Sequence, residues 1–140
     1  MKKNEKKLLE NLMKIKTMAN CYCGSSTPFE DCCQVYLKGT QKAPTAETLM
    51  RSRYSAYAIG DANYLVATTH SSTRKLHKKE DILEWSQSNH WKQLEVLNST
   101  ATSVKFKAYY LDYQGKPFVH EEHSTFVLEN GSWFYVDGEY

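Results

Sequence analysis

A chain of 140 residues is long enough for one domain with a real hydrophobic core. With 41% hydrophobic and 24% charged residues it has the composition of a globular protein, and a formal charge of +2 is too small to mark a nucleic-acid binder. No apolar run approaches the roughly 20 residues of a membrane-spanning helix. The stretch LLENLMKIK, after Lys2 and Lys3, is too broken by charge to be the apolar core of a signal peptide. The expected compartment is therefore the cytoplasm, with no membrane span and no direct nucleic-acid binding. The two basic clusters, MKKNEKK and RKLHKK, read as solvated surface.

In chain order, Leu8, Leu9, Leu12, Met13 and Ile15 predict a short amphipathic helix within residues 5–16, in an N-terminal extension over 1–19. Residues 20–43 lack a periodic apolar pattern and contain Gly24, Pro28 and Gly39, so this segment needs a staple other than a core. Thr45 is a predicted N-cap with Glu47 in the first turn, where the helix dipole favours it. A helix then follows, with Ala46, Leu49, Met50, Tyr54 and Tyr57 on one face and Gly60 as its C-cap. Asp61 caps a second helix running to about Thr68. KKEDILEWSQS forms a third, with Ile82, Leu83 and Trp85 as apolar anchors. The hydrophobic period then changes to two. WKQLEVLNST, SVKFKAYYLDYQ, FVHEEHSTFVLE and SWFYVDGE read as four strands, and Asn130-Gly131 is a strong hairpin signal. Helices followed by a meander of strands predict an α+β fold over 44–140, with three helices packed on a curved antiparallel sheet.

All four cysteines lie in CYCGSSTPFEDCC, residues 21–33. Four thiolates suit a closed tetrahedral structural Zn²⁺ site, with Cys21 and Cys23 on a tight turn and Cys32 and Cys33 at a helix start. Phe29 is expected to cover it, and the N–H groups of Gly24 to Ser26 to hydrogen-bond the sulfurs. The competing readings are a redox or disulfide role for vicinal Cys32 and Cys33, although a thioredoxin-type CxxC is absent, and four thiols with no shared role.

The stretch resembles the SEC-C motif, the small zinc-binding module found at the end of the SecA translocation ATPase and in other proteins. The matching residues are Cys21, Cys23, Gly24, Ser25, Phe29, Cys32 and Cys33; Tyr22 stands where Pro is usual. AETLMRSRYSAYAIGDANYLVATTH, Trp91, EEHSTF and GSWFYVDG extend the likeness, and over residues 20–140 the chain resembles the YchJ family of bacterial proteins. That resemblance implies a domain like nuclear transport factor 2, a cone of helices on a bent sheet with a cavity inside. It implies no reaction. Likeness to the SecA module implies a protein partner, or the ribosome, at the zinc motif. Many relatives carry a second SEC-C motif near the C-terminus; the sequence ends at Tyr140 without one, so functions requiring two such modules are not expected of it.

Two polar residues sit on faces that the pattern makes apolar. Arg53 shares the face of Leu49 and Tyr57, and Glu122 shares the strand face of His120, Ser124, Phe126 and Leu128. An isolated buried charge is costly, so an Arg53–Glu122 pair is a natural expectation. The candidate pocket is Arg53, Tyr54, Tyr57, His70, Trp91 and Glu122, with Tyr109 or Tyr110 as a further wall. Glu122 or His70 would be its acid/base group, and Arg53 its anchor for an anion. Ketosteroid isomerase and scytalone dehydratase, cavity enzymes of this fold, use such parts. The alternative is a structural ion pair with tyrosines filling the cone. Two functions follow: a protein-interaction module with a zinc knuckle, or a small-molecule binder or lyase-, isomerase- or hydrolase-type enzyme. A roomy cavity favours the second and a filled one the first.

Overall fold

The computed structural model describes residues 20–140; the helix expected within 5–16, and the 1–19 extension, lie outside them. A turn and a single 3-10 turn, Phe29–Asp31, lead into α1 (Cys33–Leu37). Three helices follow: α2 (Ala46–Ile59), α3 (Ala62–Ala67) and α4 (Lys79–Ser88), with a 3-10 turn at Arg74–Leu76 before the last. The strands are β1 (His90–Ser99), β2 (Ser103–Leu111), β3 (Pro117–Glu129) and β4 (Ser132–Glu139). They form one sheet in sequential order, every pair antiparallel.

Local chemistry sets these limits. Thr45 Oγ1 accepts from the Thr48 N–H at 3.0 Å, and Asp61 Oδ1 accepts from the Tyr64 N–H at 3.0 Å, each satisfying a donor that a helix start leaves free. Gly60 ends α2 at φ 79°, a left-handed conformation that costs other residues strain. Asn130 and Gly131, at φ 52° and 80°, make the tight β3–β4 turn.

Helix α2 is the central strut, touching α1, α3 and α4 on its helical side and β1, β2 and β4 across the core. Leu49, Met50 and Tyr54 pack with Leu94, Val104, Ala108, Phe126 and Tyr135, while Ala56, Ala62, Leu65 and Ile82 form a second cluster between the helices. The opposite sheet face is solvated. Glu95, Lys107 and Glu121 stand side by side across β1, β2 and β3, and Lys105 Nζ lies 3.8 Å from Glu121.

Two expectations of burial change. Leu128 is exposed: inward alternation along β3 runs through Glu122, Ser124 and Phe126, and the β3–β4 register shifts between Thr125 and Phe126. Of the α4 anchors, Ile82 is buried but Trp85 is 40% exposed, standing against Trp91 and Tyr110 instead of filling the core.

Candidate functional site

The cysteine segment folds as a turn closed by the Cys21 N–H donating to Thr27 O and the Gly24 N–H to Cys21 O. Cys33 opens α1 and Cys32 immediately precedes it. This brings the four sulfurs within 4.8 Å of one another, a group that could hold a metal ion. A tetrahedral ion with bonds of about 2.3 Å would set sulfurs about 3.8 Å apart, and Cys23 Sγ lies 3.7 Å from Cys32 Sγ. The donor set therefore fits. Burial pushes the Cys32 thiol up, and four thiols this close resist ionising together unless a cation compensates them.

Hydroxyls serve the sulfurs, not the N–H groups of Gly24 to Ser26: Ser25 Oγ is 3.1 Å from Cys32 Sγ, and Ser55 Oγ of α2 is 3.5 Å from Cys21 Sγ. Phe29 packs against the cluster, edge-on to Tyr22 at 5.2 Å. Arg51 ties the knuckle to α2. Its Nη1 donates to Cys23 O at 2.7 Å while its Nε donates to Glu47 at 3.0 Å. Arg51→Ala is expected to lower stability by about 1.5–3 kcal/mol, the range of one charge-assisted bond to a backbone acceptor, read from the denaturant midpoint. Glu47→Ala removes only the exposed partner and is expected to cost well under half as much.

Beyond the knuckle, the helices and sheet enclose a cavity of about 400 Å³. Arg53, Tyr54, Tyr57, Trp91 and Glu122 all line it. His70 does not. It lies past α3, with Nε2 bonded to Glu129 and Nδ1 2.7 Å from Ser72 Oγ, its ring against Phe134. Of the tyrosines offered as a further wall, Tyr109 donates to Glu95, a member of the charged row. Tyr110 packs against Trp85, Trp91 and Phe118 and is not among the lining residues.

The expected Arg53–Glu122 contact is replaced by a relay. Arg53 Nη1 donates to Leu65 O at 2.9 Å and Thr68 Oγ1 at 2.7 Å, where α3 ends, and the guanidinium lies 4.4 Å above the Tyr135 ring. Tyr135 in turn donates its hydroxyl to Glu122 Oε2 at 3.3 Å. The aromatic side chain thus stands between the two charges, and each is satisfied without touching the other. Glu122 also bonds His120 Nε2 at 3.0 Å and accepts from Ser124 Oγ. Burial works to raise the Glu122 carboxyl, but these hydrogen bonds outweigh it and hold the group below its ordinary value. Burial lowers Arg53, with Tyr57, Tyr135 and Glu122 opposing. It pushes Tyr54 up to about 12 and also raises Tyr57, so both remain phenols.

Sequence pattern missed Gly138. A Cβ there would stand 2.5 Å from Glu122 Cδ and 2.8 Å from its Cγ, so only glycine leaves room for this carboxylate. The available signal was a glycine inside an alternating strand, opposite Ser124 in register.

Residues 45–138 match the family profile of the YchJ middle domain, described as NTF2-like. The chain belongs to the YchJ family. Curated YchJ-type relatives carry the name UPF0225. One from Vibrio cholerae is 36% identical over 127 residues, covering 86% of this chain and 83% of the relative. Another from Vibrio vulnificus is 41% identical over 128 residues, covering 87% and 75%. A solution structure of a SEC-C motif protein from Rhodopseudomonas palustris superposes with a TM-score of 0.79 at 35% identity, covering 86% of this chain and 97% of that one. The crystal structure of a SEC-C motif protein from Psychrobacter arcticus gives 0.76 at 34% identity, covering 86% and 82%. The protein is thus a YchJ-type SEC-C protein: a four-cysteine motif joined to an NTF2-like α+β cone. Among its described residues no helix is long and apolar enough to cross a membrane.

Proposed function

We propose that this YchJ-family protein binds a small organic molecule inside its cone, and that the cysteine motif holds a structural Zn²⁺ that fixes the knuckle to the domain. The observation that carries the first part is the open cavity of about 400 Å³ with a charged carboxylate, Glu122, in its wall. That volume is within the range of ligand sites, as is an apolar lining with few polar groups. A cone filled by its own tyrosines would have favoured a purely docking role. Glu122 is the acid/base group of the pocket, and a lyase- or isomerase-type proton transfer is the chemistry it supports, with Tyr54 and Tyr57 as phenol donors. Zinc is favoured by four cysteine sulfurs within 4.8 Å of one another, a donor set that as thiolates would fill every tetrahedral position and leave none open for catalysis.

A thermal-shift screen of small organic compounds against zinc-loaded protein tests the reading. At a hundred times Kd a ligand stabilises by about 2.7 kcal/mol. Hits should lose their shift in Ala108→Leu, which fills the cavity, or in Phe106→Trp should the first variant not fold. A screen without hits, or shifts unchanged in the filled variants, would count against a ligand in the cone. A second reading, a protein docking at the knuckle, is favoured by Tyr22, which is 49% exposed beside Phe29. It predicts that Tyr22→Ala leaves folding and zinc content unchanged while abolishing capture of that partner.

A further inference from the structure

The polar groups left without a partner in the cavity wall describe what it takes. Arg53 is only 8% exposed, and its hydrogen bonds to described residues all leave from Nη1, to Leu65, Thr68 and Thr69. Its Nε and Nη2 have no partner among them. The hydroxyls of Tyr54 and Tyr57 likewise bond to no described residue. Yet no fully buried side-chain nitrogen or oxygen among these residues lacks a partner. These groups therefore each keep some exposure, and all three residues line the cavity. On the acceptor side, Glu122 already takes hydrogen bonds from His120, Ser124 and Tyr135, leaving about one lone-pair position free.

The apolar part of the lining is aromatic. Trp91 meets Tyr54 at 6.2 Å and Tyr57 at 5.7 Å, and Phe126 meets Tyr135 at 5.9 Å, so flat rings bound the space. The basic stretch RKLHKK, which as sequence reads only as solvated surface, reaches this cavity through His77, which lines it beside Tyr135. It adds positive potential near a pocket that already holds the Arg53 guanidinium.

We infer that the cone takes a planar aromatic compound bearing a carboxylate or carbonyl oxygen, with that oxygen accepting from Arg53 and Tyr57. This rests on the reading of the cone as a ligand pocket. A cationic amine of the same shape is the wrong complement. Its one ionic partner would be the last free position on Glu122, which three donors already hold, while Arg53 Nε and Nη2 would stay unpaired and a second positive charge would stand near the guanidinium.

The test is isothermal titration of the zinc-loaded protein with three naphthalenes of one shape: naphthoate, acetylnaphthalene and naphthylmethylammonium. The expected result is that the first two bind at least about tenfold tighter than the ammonium, a difference of about 1.4 kcal/mol. Tyr57→Phe should weaken acetylnaphthalene about fivefold, the loss of one neutral hydrogen bond. Arg53→Lys should weaken naphthoate more than it weakens acetylnaphthalene. An ammonium that binds as tightly as the other two, or tighter, overturns the inference while leaving a ligand-binding cone intact. Unchanged affinities in both variants overturn it as well. If none of the three binds while the compound screen gives hits in the cone, the inference fails and the pocket reading stands; if the screen is also empty, both fail.

Discussion

Cys33→Ser, or stripping the metal with a strong chelator, is expected to cost at least about 3 kcal/mol of stability. For a domain of this size that is a fall of roughly 10 °C in Tm. The reason is where the sulfurs sit. Cys23 and Cys33 are 0% and 1% exposed and belong to the same packed cluster as Leu49, Met50 and Leu94, so the proposed metal site is part of the core wall. Residues 20–43 bury no separate core. Losing the proposed metal would leave neighbouring buried thiols to be dispersed, and with them the cover over the Arg51–Ser55 stretch of α2. Ser55, bonded to Cys21, and Arg51, bonded to Cys23 O, transmit that loss to the helix. Metal content and melting, measured on the same preparation, check the claim. Protein without stoichiometric zinc, and a Cys33→Ser melt equal to wild type, would remove it.

Gly138→Ala is expected to have the second largest effect, inside the cone. The added methyl overlaps the Glu122 carboxyl, and the contact is with Cγ and Cδ as well as Oε2, so rotating the oxygens does not relieve it. Overpacking of this kind costs about 1–3 kcal/mol. It should also turn Glu122 away from Ser124 and Tyr135 and abolish binding in the cone. Glu122→Gln separates charge from space. A carboxyl held below its ordinary value of 4.5 in the folded protein adds stability above that pH, and the contribution is lost as pH falls through the folded value. Wild type should therefore exceed Glu122→Gln in stability near neutrality, and the gap should narrow in acid below 4.5. Loss of the metal in acid acts on both proteins alike and cancels in the difference. A gap that stays constant across that window would mean the carboxylate is not held by its neighbours.

Thr45, Gly60 and Asp61 act locally, through caps and φ, so the limits of α2 and α3 were legible from neighbours along the chain. The four strands were legible because a period of two survives wherever one sheet face is buried. The cysteine cluster was legible because ligand spacing is itself local. The pocket was only half legible. That Arg53 and Glu122 face inward follows from helix and strand periods, but the Tyr135 ring between them depends on how α2, β3 and β4 meet. His70 sits one residue beyond Thr69, whose backbone bridges to Tyr135. Thr69 itself is buried and lines the cavity, while His70 turns to Glu129. One position in a loop decides between pocket and surface, and no periodicity fixes it. Gly138 and Ser55 matter for what they leave room for or touch across the fold, which is a property of packing and not of pattern.

The measurement that bears most directly on the account is a crystal structure of the zinc-loaded protein soaked with small aromatic acids and ketones. The predicted result is a compound between Trp91 and Tyr135, its oxygen within hydrogen-bond reach of Arg53 or Tyr57, and a metal on Cys21, Cys23, Cys32 and Cys33. A cone closed by its own Trp85 and Tyr140 side chains, with compounds bound only on the outer surface, would contradict it.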